Sequence, residues 1–288
     1  ANTGGTSTTA SSGAISLTGT GANVQLGKLT TGAATVSNVN EGGSTDTATA
    51  GSITLSGASL GTSTGTPQTL ALGSGTGGAA SVGGMLNLTA TAGNIFVSSD
   101  AALRVKDITT QGSTANTVDI RTTGGKAIVF DSTGTYTGVS GSGTANDGDA
   151  INVVTDTTGG TVTFNKALQA GSITVNAGDA VVVNQNLSTT AVNTSGGGAG
   201  TNAVSGGVTL TAAGSISGAG TISTGSATAD DANTGGTSTT ANSGSISLTG
   251  TGANVQLGKL TTGSATVSNV NEGGSTDTAT AGSITLSG

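Results

Sequence analysis

Apolar side chains recur along this chain at every second position, in runs of three to five residues that glycine, asparagine or serine then breaks. Gly13-Ala14-Ile15-Ser16-Leu17 is followed by Val24-Gln25-Leu26 and Leu29-Thr30-Thr31. Gly93-Asn94-Ile95-Phe96-Val97 leads to Leu103-Arg104-Val105 and Ile108-Thr109-Thr110. Gly171-Ser172-Ile173-Thr174-Val175 leads to Val181-Val182-Val183 and Leu187-Ser188-Thr189-Thr190. Residues i and i+2 of a strand share a face, so each run offers two inward side chains and a polar outward one. The glycines that punctuate the runs suit corners of unusual backbone geometry. Gly13, Gly32 and Gly51 are evenly spaced, and Gly93 and Gly112 keep the same interval. Three short strands in about 19–20 residues predict one coil of a parallel β-solenoid, stacked on the next at about 4.8 Å.

Helix competes poorly, because the apolar period is two and glycine interrupts every long segment. A string of β-sandwiches is the stronger alternative, but such domains carry core aromatics and longer strands. Here only 1% of residues are aromatic. The three phenylalanines stand at 96, 130 and 164; Phe130 and Phe164 occupy similar places in KAIVF and TVTF and are expected to stack, with Phe96 out of phase. Polar stretches at 40–50, 61–68, 132–148, 194–205 and 224–243 read as Gly/Ser/Thr-rich loops leaving the coil at its corners.

A second periodicity is far longer. Residues 232–288 repeat residues 1–57 with three substitutions: Ser11 becomes Asn242, Ala14 becomes Ser245 and Ala33 becomes Ser264. Residues 1–231 are therefore one tandem unit and 232–288 the start of the next, with no separate globular domain. The pattern runs to Gly288 in mid-motif, so the termini read as cuts from a longer protein. At about 19–20 residues per coil, one unit predicts eleven or twelve coils and a rod of roughly 55 Å.

Composition narrows the functional classes. The 288 residues include 53 Gly and no Cys, His or Trp, with a net charge of −7. An acidic chain with seven Lys and Arg lacks the clustered cations that nucleic acid or an anionic membrane requires. No stretch of 18 apolar residues is present, so no helical membrane span is expected. No signal peptide stands at Ala1, so targeting information is expected elsewhere in the parent. Without His or Cys, neither the Ser-His-Asp nor the Cys-His arrangement can be built, nor the usual zinc site. Only carboxylate, lysine and arginine chemistry remains.

The charges concentrate between 100 and 131: Asp100, Arg104, Lys106, Asp107, Asp119, Arg121, Lys126 and Asp131. Asp100 and Asp119 lie one expected coil apart, as nearly do Lys106 and Lys126, so like charges are expected to stack. A carbohydrate-cleaving groove could use such residues; a solvated face of compensating pairs is the simpler reading. Asn146-Asp147-Gly148-Asp149 resembles a fragment of a calcium loop but lacks the spaced ligands that follow in such loops. Calcium is the one cofactor this fragment suggests, and no catalytic, cofactor or metal residue is assigned. Thr-x-Thr pairs (Thr45-Asp46-Thr47-Ala48-Thr49 and Thr161-Val162-Thr163) evoke flat ice-binding faces, which need the pair repeated in every coil.

The GAISL, GSITL and GNIFV units, followed by NVQLG and LTT, resemble the haemagglutinin-type repeats of filamentous haemagglutinin-like exoproteins. The resemblance covers most of the chain through a short, compositional motif. It implies a right-handed parallel β-helix, export by a two-partner or autotransporter-like route, and adhesion or biofilm-matrix work. The family's Asn-Pro secretion motifs are missing, since Thr66 precedes the single proline, Pro67. The expected function is the structural shaft of a secreted bacterial surface adhesin or extracellular fibre. Its expected partners are other rods, along or between shafts, and cell-surface or matrix glycans. A glycan- or calcium-binding solenoid module is the alternative, and a polysaccharide lyase or hydrolase comes third.

Overall fold

The computed structural model describes residues 7–37, 46–77, 81–111, 115–139, 148–196, 202–231, 238–268 and 276–288. Among these residues there is no helix. The period-two pattern becomes strand wherever it was strongest. Ile53–Gly57, Leu86–Ala90 and Ile95–Ser99 each alternate buried and half-buried side chains. The protein is an all-β parallel solenoid.

Two long parallel sheets carry it, each of nine strands among the described residues. Sheet one runs from Ile15–Thr18 to Val255–Gln256, and sheet two from Leu29–Thr30 to Ile284–Ser287. A third face of four strands, from Leu168–Ala170 to Leu260–Thr261, joins them in the C-terminal half. On sheet two, inward residues align coil over coil in two aliphatic ladders. Ile95, Val118, Ile151, Ile173, Val208, Ile246 and Ile284 form the first. Val97, Ile120, Val153, Val175, Leu210, Leu248 and Leu286 form the second. Ile284 and Leu286, in the last strand, are exposed; each of the other ladder side chains is buried and contributes on the order of 1.5–3 kcal/mol. Phe130 and Phe164 stack in the core at 4.6 Å between centroids, while Phe96 faces outward opposite Asp119. The expected phase difference among the phenylalanines is thus present.

Coil length departs from the simple expectation. The pairs Leu86↔Val105, Val162↔Val181 and Leu168↔Leu187 do keep the glycine interval. Ile15↔Ile53 and Ile216↔Val255, however, take about twice that length of chain. The extra length forms satellites beside the core. Thr9–Ser11 pairs with Thr47–Thr49, and Ala34–Thr35 with Gly75–Thr76, around buried Ala34, Val36 and Ala48. Near the other end, Val192–Gly196, Ala227–Asp231 and Ala265–Ser268 face Asn202–Val204, Thr240–Asn242 and Thr278–Thr280. Buried Val192, Ala203, Ala227, Ala229 and Ala241 fill the space between them. Parts of the stretches read as polar loops are therefore strands. Alternating alanine and threonine give a core too thin to stand out by hydrophobicity.

Gly13, Gly32 and Gly51 mark the ends of two halves of one coil, core and satellite, rather than three successive coils. Chain re-entering from a satellite lies directly on the coil below. A Cβ on Gly51 would sit 1.8 Å from the Gly13 carbonyl oxygen, and one on Gly244 1.9 Å from that of Gly206. Only glycine permits that approach. Beside the glycines runs a column of hydroxyls. Ser12 Oγ donates to the Gly32 carbonyl at 2.5 Å and accepts the Gly51 amide at 2.7 Å. Its equivalent Ser243 donates to Gly263 and accepts from Gly282, both at 2.7 Å. Thr189 and Thr224 make the same pair of bonds, to Gly206 and Gly225 and to Gly244 and Gly263. Each hydroxyl closes the neck of a satellite and ties it to the next coil.

Fewer, longer coils shorten the rod. Sheet one advances seven rungs from Ile15 to Ile216, and Ile246, the equivalent of Ile15, follows on sheet two. One tandem unit thus spans seven coils plus one face, instead of eleven or twelve. The nine rungs span about 38 Å at the usual strand spacing.

Candidate functional site

The ionic residues expected between 100 and 131 form separate pairs on two sheets, with Asp119 and Asp131 buried beneath their partners, in an order the sequence spacing does not give. Leu103–Thr110 and Ile128–Thr137 lie on sheet one, and Thr117–Thr122 between them lies on sheet two. Arg104 Nε donates to Asp131 at 2.5 Å, with the aspartate almost wholly buried. Arg121 grips Asp119 through two nitrogens, at 2.5 and 2.9 Å. Lys28 reaches up from an earlier coil to Asp100 at 2.5 Å, and Lys106 lies 4.0 Å from Asp107.

The expected like-charge stacks are absent. Asp119 stands over Phe96 and under Asn152, because sheet two steps here from Ile95 to Val118, a longer stride than the glycine interval. Lys106 falls at a bulge between Val105 and Asp107, where the register shifts. Arg104 and Asp119, the residues on which a cleavage mechanism would rest, belong to different sheets.

Burial alone would raise the Asp131 carboxyl, but bonds from the Thr133 hydroxyl and amide and from Arg104 outweigh it and hold it below the usual range. Asp100 is also lowered, chiefly by its bond from Lys28. The Asp119 carboxylate raises Arg121. Nearby, burial drives the Tyr136 phenol well above its ordinary value, with the charges of Asp131 and Asp107 adding to it. Its hydroxyl has no hydrogen-bond partner among the described residues. The ring meets Phe130 edge-on at 6.0 Å.

The calcium-like fragment is split. Asn146 and Asp147 lie outside the described residues. Asp149 is buried and accepts the Asn116 amide of the preceding coil at 2.8 Å. Asp46 and Asp277 do the same for Thr8 and Thr239, at 2.7 and 2.9 Å. These carboxylates join one coil to another. Among the described residues no three acidic side chains gather to hold a metal.

One surface feature escaped the sequence reading. On sheet one, Thr18, Ser56, Thr89, Thr109 and Thr137 align in an outward column. Beside it stand Ser16, Thr54, Asn87, Asp107 and Thr135. The signal was present in ISLT, ITLS and LNLT, but successive coils of unequal length conceal the alignment. Of the pairs singled out earlier, Thr45 lies outside the described residues, Thr47–Thr49 is a satellite strand, and Thr163 lies on sheet one above Val129. The sequence matches no family model, no curated protein and no solved structure.

Proposed function

We propose that the chain is the structural shaft of a secreted bacterial surface adhesin or extracellular fibre, a spacer that holds a binding function away from the cell. The observation that carries this reading is the seam between the two tandem copies. Val208–Ala212, in the first copy, pairs residue for residue with Ile246–Gly250 in the second, and Ala227 continues onto Ala265 in the satellite. Among the described residues the sheets run through the seam unbroken, so tandem units extend one core as a rod instead of hanging as beads. Parallel ladders that satisfy each coil's backbone on both sides suit a load-bearing fibre. The outward hydroxyl columns supply donors and acceptors for contact between rods. On this reading the chain carries out no reaction, and its partners are other rods and surface or matrix glycans. The resemblance to filamentous haemagglutinin-like exoproteins supports the adhesin and export parts of the proposal.

Electron microscopy and fibre diffraction on a protein of three or more tandem units test the shaft. The expected result is a straight thin rod with a meridional spacing of about 4.8 Å. Beads joined by flexible links would sink the proposal. For the adhesin part, the native protein should appear in the culture medium or on protease-accessible cell surfaces, and recovery only from intact cytoplasm would overturn it.

A further inference from the structure

The stack is stepped, and the step forms a groove. Coils that carry the N-terminal satellite are long, advancing on sheet one from Ile15 to Ile53 and from Ile53 to Leu86. The next advances only from Leu86 to Val105, with no room for a satellite. The neck of the last satellite coil, at Ser74 and Gly84, makes one wall of a cavity of about 550 Å³. Asp100, Arg104 and Lys126 line it as well, and Leu72, Leu103 and Val129 supply apolar surface. Its volume lies within the range of small-ligand sites, roughly 300–1,000 Å³.

The charge around this groove runs against that of the whole chain. The protein carries −7 overall with only seven Lys and Arg. Three of the seven gather here: Arg104 and Lys126 line the groove, and Lys28 lines an adjoining hollow that shares Asp100. The acidic neighbours are already engaged, Asp100 by Lys28 and Asp131 by Arg104 Nε. Lys126 is exposed and has no ion-pair partner among the described residues. The Arg104 bond to Asp131 uses Nε, which leaves the terminal guanidinium nitrogens for another acceptor. A guanidinium and an ammonium flanking one cleft suit a carboxylate. The Ser74 hydroxyl and the uncovered glycine backbone suit the hydroxyls of a sugar ring.

We propose that this groove binds a short stretch of a linear acidic polysaccharide, with one sugar carboxylate held between Lys126 and Arg104. Each full tandem unit carries one such groove, shifted by a face from copy to copy, so a rod of tandem units would bind a polymer wound around it at many points. Weak single contacts would then sum to a firm attachment through effective concentration.

Calorimetry of the 288-residue chain with tetragalacturonate and with its methyl ester tests the assignment. The acid should bind and the ester should not. Lys126→Ser should weaken binding about tenfold, as loss of one charge-assisted bond does. Lys259→Ser removes the same charge from the exposed surface of the second copy and should leave binding unchanged. Circular dichroism should be the same for all three proteins, since both lysines are exposed. No binding by the acid, equal binding by the ester, or equal losses in the two variants would each overturn the proposal.

Discussion

At Phe130 and Phe164 a thin aliphatic core admits its two largest buried side chains, one directly above the other. Phe164→Ala should remove the stacking partner and leave a void between coils that cannot collapse without shifting a sheet. The expected cost is about 3–5 kcal/mol, read as a lower urea midpoint, and Phe164→Leu should recover most of it. Tyr136 offers a cleaner readout, as the only tyrosine in the chain. Its folded pKa is raised above the unfolded value of about 10 by burial and then by Asp131 and Asp107. The neutral phenol therefore contributes stability that is whole below pH about 10 and is lost as pH rises toward the folded pKa. Absorbance at 295 nm should show no phenolate at pH about 10.5 while the β signal persists, then rise together with unfolding. A simple titration centred near pH 10, with the fold intact, would contradict this burial.

The coil is where stacking turns local chemistry into architecture. Gly13 and Gly244 are the same residue of the two copies, yet a Cβ on Gly13 meets nothing within 4 Å, while one on Gly244 sits 1.9 Å from the Gly206 carbonyl. In the isolated 288-residue chain, where no coil lies against Gly13, Gly13→Ala should be nearly neutral. Gly244→Ala should cost roughly 1–3 kcal/mol, as overpacking does, and should speed amide exchange in the coils around it. Equal effects at the two sites would mean that the close approach between coils is wrong. Acid acts at this scale too, through the Arg104 and Asp131 pair that joins adjacent strands of sheet one. The Asp131 pKa is depressed, so its contribution is present above the unfolded value of about 3.9 and is lost as pH falls below it. Urea midpoints should stay level from pH about 7 to 5 and drop below about 4, and Asp131→Asn should flatten that drop. An unchanged acid limb in the variant would remove Asp131 from the account.

For the whole molecule the consequential quantity is the fractional turn. Identical sequence at Ile15 and Ile246 lies on sheet one in the first copy and sheet two in the second. Successive copies in a tandem array therefore present equivalent surfaces around the rod instead of along one side. The chain has no cysteine, so paired spin labels can be placed without background. Labels at Ser16 and Ser217, on the same sheet and seven rungs apart, should lie about 34 Å apart along the axis. Labels at Ser16 and its equivalent Ser247 should give a longer distance, because they also cross the core. If the second pair were no longer than the first, the unit would close on whole turns.

The one-dimensional pattern determined a good deal. Period-two runs such as Ile53-Thr54-Leu55 can bury one face only as strands, and glycine breaks make those strands short, so a stacked parallel solenoid follows from local physics. The long tandem repeat is likewise a property of sequence alone, as is the absence of His and Cys that removes the commonest catalytic sites. Coil length was beyond its reach. The regular glycine spacing is real, but whether Gly32 starts a new coil or a satellite depends on what it stacks upon. That is a contact between residues distant in the chain, such as Gly32 with Gly73. Charge placement went astray for the same reason: Asp119 meets Phe96 and Asn152 rather than Asp100. Register between coils, and with it the hydroxyl columns, the groove beside Lys126 and the turn between copies, is set by side chains meeting across coils of unequal length. Only the folded stack decides which residues those are.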